Sequence, residues 1–150
     1  MTMESISGNV GRGLAAGLAG TAAMTLSSTI EMKLRAREAS SAPADAASAV
    51  LGVKPIDDRS QRRFNNIVHW GYGTGWGGIR GVLDSVGLGP VGGSVAHLAA
   101  VWGTEQVVLP ATGAAPPATE WGGREVAIDL FHHLVYVTAT GLAFAWLRHH

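Results

Sequence analysis

Four stretches of this chain carry no charged side chain, and each is close to the length of a bilayer crossing. They lie between Arg12 and Glu31 (18 residues), Arg63 and Arg80 (16), Asp84 and Glu105 (20), and Asp129 and Arg148 (18). A helix needs about 20 mostly apolar residues to cross the hydrocarbon, with a lower limit near 17. Three gaps meet that length. The second, FNNIVHWGYGTGWGGI, is short and holds two Asn and a His, so it crosses only if those groups face protein. Charged residues make up 15% of the chain, against roughly 25% in soluble domains. The pattern predicts an all-α integral membrane four-helix bundle. It forms one domain, with helices over about 10–31, 64–82, 90–109 and 120–147, and membrane lipids around it.

Basic residues set the orientation. Between the first two helices lie Lys33, Arg35, Arg37, Lys54, Arg59, Arg62 and Arg63, seven in all, whereas the other side holds three, Arg12, Arg80 and Arg148. The positive-inside rule makes the long loop cytoplasmic and both termini external. Within that loop, Ser41-Ala42-Pro43 starts a short Ala-rich helix that Gly52 and Pro55 stop. Asp58 and Gln61 have capping-box spacing for the next helix. Pro110, Gly113, Pro116 and Pro117 break the chain into a tight cytoplasmic turn.

In lipid, helices associate through close backbone contact, which small side chains permit. Gly13, Gly17, Thr21 and Thr25 recur every fourth residue in the first helix, and Gly73, Gly77 and Gly81 do so in the second. The two faces are expected to touch. Gly73, Gly75 and Gly78 also have GxGxxG spacing, but no strand precedes them, so a dinucleotide site is rejected. Zero net charge speaks against nucleic acid as a partner, and the absence of cysteine removes thiolate chemistry.

The chemistry of the chain is carried by polar stripes. Glu125, Asp129, His132, Tyr136 and Thr140 share one face of the last helix, and Asn65, His69, Tyr72, Trp76 and Arg80 share one face of the second. Ionisable groups facing lipid are costly, so both stripes turn inward. Counted from the loop ends, His69, Glu105 and Glu125 lie a similar ~7 Å inside the cytoplasmic boundary, with Asp129 and His132 deeper. A buried polar cluster of His69, Glu105, Glu125, Asp129 and His132 is therefore expected. Three readings of it stand open: a structural hydrogen-bond network, a proton or ion path, and a metal or haem site. For a metal the ligands would be His69, Glu105, Asp129 and His132, as in carboxylate-rich bundles. His132 and His133 diverge by about 100° and cannot face one centre. No nucleophilic triad is present, and no catalytic residue or firm cofactor is assigned.

The stretch GGSVAHLAAVWG, the turn LPATGAAPP and the final EVAIDLFHHLVYVTATGLAFAWL together resemble the YagU-like family of bacterial inner-membrane proteins. Asp129, His133 and the Pro116-Pro117 pair carry the likeness, which covers the C-terminal part of the chain. The resemblance implies a multi-pass protein of the bacterial inner membrane. The functional expectation is a small non-enzymatic membrane protein, oligomeric or an accessory subunit of a larger complex, with an ion- or proton-responsive interior. The alternative is a metal- or haem-binding subunit of a membrane oxidoreductase.

Overall fold

The computed structural model describes residues 3–150, and the described chain is all-helical, with no strand. Helix α1 spans Met3–Arg35, α2 Ala42–Leu51, α3 Asp58–Ser85, α4 Pro90–Thr112 and α5 Gly123–His149. A single 3-10 turn, Ala118–Glu120, precedes α5. The long helices outrun the charge-free gaps, because a gap marks where charge is excluded and a helix ends where its backbone is capped. α1 runs 33 residues, ~50 Å, before Ala36 turns to φ 50°. α3 begins six residues before Phe64, and its N-cap is Asp57, one residue earlier than the spacing of Asp58 and Gln61 suggests. The Asp57 carboxylate accepts the Ser60 amide, while Gln61 donates to the Asn65 side chain at 2.8 Å.

α4 also overruns its expected stop. Pro110 sits inside the last turn, where it forfeits one backbone bond, and the helix ends only when Gly113 takes φ 72°. The amides of Gly113 and Ala114 then close onto Pro110 and Leu109 carbonyls, at 3.1 and 3.0 Å. α2 forms where Ser41 and Gly52 bracket it, with Pro43 in its first turn.

α1 lies against both α3 and α5, and α4 closes the bundle between α3 and α5. The α1–α3 seam consists of the two small-residue runs. A Cβ on Gly13 would strike the Gly77 carbonyl, and one on Gly73 would strike Thr21. At Gly13, Gly17 and Gly77 the facing atoms are backbone and leave no room for a side chain, whereas Gly73 makes the room that the Thr21 side chain fills. Val101, Tyr136 and Val137 form the apolar centre, packed by Met24, Trp76 and Leu98.

Both ends of the bundle are tied by charge. At one end Arg148 holds Asp84 at 2.7 Å, Asn9 reaches Ser85 at 3.1 Å, and the buried Arg80 lies 4.7 Å over the Phe144 ring. At the other end Arg35 donates to Glu125 through both terminal guanidinium nitrogens, Nη1 and Nη2. Among the described residues two helices are long and apolar enough to cross a membrane, Ser5–Arg35 and Gly123–His149. The charge gaps predict four. Freedom from charge is a weaker condition than apolarity: α3 carries Asn65, Asn66 and His69, and α4 carries His97, Glu105 and Gln106.

Candidate acid–imidazole site

α5 has α1 on one side and α4 on another, so its consecutive residues His132 and His133, about 100° apart, meet different neighbours. His132 turns to α1, where Nδ1 lies 2.7 Å from Ser27 Oγ and Nε2 4.0 Å from Glu31. His133 turns to α4. Its Nε2 is 3.1 Å from Glu105 Oε2, and its Nδ1 is 3.0 Å from the carbonyl oxygen of Asp129, one turn back. Asp129 Oδ1 is 3.6 Å from the same ring, and its Oδ2 accepts the Trp102 indole N–H at 2.8 Å. One ligand atom each from Glu105, Asp129 and His133 lies within 4.8 Å of the others.

The partners assign the tautomer. A carbonyl oxygen only accepts, so Nδ1 carries the ring proton and donates it to Asp129. In the neutral ring Nε2 is then a bare lone pair close to a carboxylate. Although the atoms are close, their alignment makes no hydrogen bond, and buried Glu105 Oε2 has no hydrogen-bond partner. Two lone pairs at this distance repel unless a cation lies between or beside them. A proton would do this, and so would a metal ion. An Nδ1–H fixed to a backbone carbonyl with Nε2 free is also the usual arrangement of a metal-ligating histidine, and Trp102 fixes the acid as an outer-shell donor would.

The site lines a cavity of 690 Å³ between α1, α3, α4 and α5, roofed by α2 through Ala46, Ala47, Val50 and Leu51. His69 of α3, Glu105 of α4, and Glu125, Asp129 and His132 of α5 all line this cavity. Only Glu105 and Asp129 of that set come together as a ligand group, with His133 as their imidazole where the sequence points to His132. His69 stands on α3, its Nε2 2.8 Å from Thr25 Oγ1. Glu125 lies at the rim, taken by Arg35. The set therefore differs from the expected four ligands in both imidazoles. Helix periodicity gives the angle between His132 and His133 but not which neighbour stands at which angle.

Trp102 and Arg35 were not singled out by sequence reasoning. Trp102 carries no sign of this role until α4 and α5 are brought together, and Arg35 reads as a topology signal. The Asp129–His133 pair had a legible mark in its four-residue spacing, which stacks two side chains on one helix face. No family model, no curated protein and no solved structure matches the chain.

Proposed function

We propose that this chain is a multi-pass protein of the bacterial inner membrane whose bundle interior binds a divalent first-row metal ion through Glu105, Asp129 and His133. The observation that carries the metal reading is the convergence of one ligand atom each from Glu105, Asp129 and His133 within 4.8 Å, with His133 Nε2 3.1 Å from Glu105 Oε2. One imidazole and two carboxylates, with no thiolate in the chain, suit Fe²⁺, Mn²⁺ or Zn²⁺. Three protein ligands leave coordination positions open to the cavity, as in sites that bind an exogenous ligand.

The membrane reading is supported by the surface. Leu14, Leu18, Leu26, Ile30 and Leu34 lie exposed along α1, and Phe131, Leu134 and Leu142 along α5, with further exposed valines on α4. Exposed apolar surface on this scale seeks lipid or another protein. α3 and α4 would complete the four crossings with their polar residues turned to the interior. The resemblance to the YagU-like family points the same way.

Metal analysis of protein purified in lipid nanodiscs, followed by cobalt(II) titration of the stripped protein, tests this. One equivalent of metal is expected, lost in His133→Ala and kept in His132→Ala. Failure of cobalt to bind, or equal loss in both variants, would leave a shared proton between Glu105 and His133 as the reading. Resistance of the protein to carbonate extraction tests the membrane reading separately.

A further inference from the structure

The cavity is far larger than a hydrated ion needs, and 690 Å³ falls within the roughly 300–1,000 Å³ of organic-ligand pockets. Much of its lining is apolar, with Met24, Val68, Val101, Val108 and Leu109 joined by the roof of α2. Its charges are already spent. Arg37, the one guanidinium on the wall, is held by Glu31 at 2.7 Å, and Glu125 is held by Arg35. Among the described lining residues there is no lysine. A divalent ion on Glu105, Asp129 and a neutral His133 makes a site of zero net charge. An anionic head would bring an uncompensated charge into an apolar chamber, and an ammonium head would find no free carboxylate.

Resting on the metal reading above, we propose that the cavity takes a neutral apolar molecule with an oxygen donor head, of the class of long-chain alcohols, ketones and quinones. The molecule enters from the bilayer, its apolar body lies under α2, and its oxygen fills an open position on the metal ion. Neutrality selects the head, and the walls select the body.

The probes are decan-1-ol, decanoate and decylammonium, added to the cobalt-loaded protein in nanodiscs and read by the cobalt absorption band. Decan-1-ol is expected to shift the band at a membrane concentration about 10-fold or more below that of either charged probe. Ala46→Leu and Val108→Phe, which fill the cavity from α2 and from α4, are expected to keep the cobalt band and lose the decan-1-ol shift. A band that appears but answers no probe, answers a charged probe equally well, or answers decan-1-ol unchanged in both filled variants overturns this proposal and leaves the metal reading standing. A cobalt band that never forms overturns both.

Discussion

Gly17 and Gly77 meet so closely that a Cβ on Gly17 would lie 2.8 Å from the Gly77 Cα and 2.9 Å from the Thr74 carbonyl oxygen. The obstacle is backbone on both sides, so no rotamer change relieves it and the helices must part. Gly17→Leu and Gly77→Leu are each expected to cost about 3 kcal/mol or more, the upper end for overpacking. Ala19→Leu, on the exposed side of α1, is expected to leave stability unchanged. Thermal unfolding in detergent, followed by tryptophan fluorescence, compares the three. Equal midpoints would mean that α1 and α3 do not meet along this seam in solution.

This seam was legible because its signal is local and repeated. A four-residue glycine spacing specifies a face, and two such faces on neighbouring helices have few other places to go. The short helix α2 was legible through Ser41, Pro43 and Gly52 for the same reason. The site was legible only in its acids. Glu105 and Asp129 sit where their helices' polar faces turn inward, but the choice between His132 and His133 depends on the azimuth of α1 and α4 around α5. That azimuth is a property of the whole bundle. Glu125 shared the polar stripe with Asp129, yet one turn nearer the helix end it falls within reach of Arg35, and an available guanidinium outcompetes a partial contact with the interior.

The outer shell of the site gives a graded test. Trp102→Phe removes the indole donor from Asp129 Oδ2 while keeping an aromatic ring in place. Loss of such a partner is expected to weaken cobalt binding about 10–100-fold. Glu125→Gln, at the rim and paired with Arg35, is expected to leave affinity unchanged. Titration of the stripped protein in nanodiscs measures both. A Trp102→Phe protein with wild-type affinity would mean that the indole only packs.

Topology follows from the ends of the bundle. Asn9, Asp84 and Arg148 share one end, and Arg35 and Glu125 share the other, so both termini of the described chain lie on one side. On the membrane reading proposed above, the positive-inside rule puts the α2 side in the cytoplasm. The chain has no cysteine, so single cysteines report without background. A membrane-impermeant maleimide added to intact cells is expected to label His150→Cys and to spare Ser41→Cys until the cells are lysed. The opposite pattern would invert the bundle, and labelling of both would refute the multi-pass arrangement.

The N-cap of α3, outside the membrane spans proposed above, carries a pH-dependent prediction. Asp57 accepts the backbone amide of Ser60 at 2.7 Å, and this bond to the ionised carboxylate holds its pKa below the ordinary aspartate value. A carboxylate with a lowered folded pKa contributes stability above its unfolded pKa and loses it as pH falls through the folded one. Protection of the Ser60 amide from hydrogen exchange, corrected for intrinsic rate, is therefore expected to be constant near neutrality and to fall at acid pH, below the usual aspartate range. Asp57→Asn caps equally well without titrating, so its protection is expected to match wild type at neutral pH and stay flat on acidification. Asp57→Ala is expected to show weak protection at every pH. If Asp57→Asn lost protection in step with wild type, the acid sensitivity would belong to another group, and the cap would be a bystander to it.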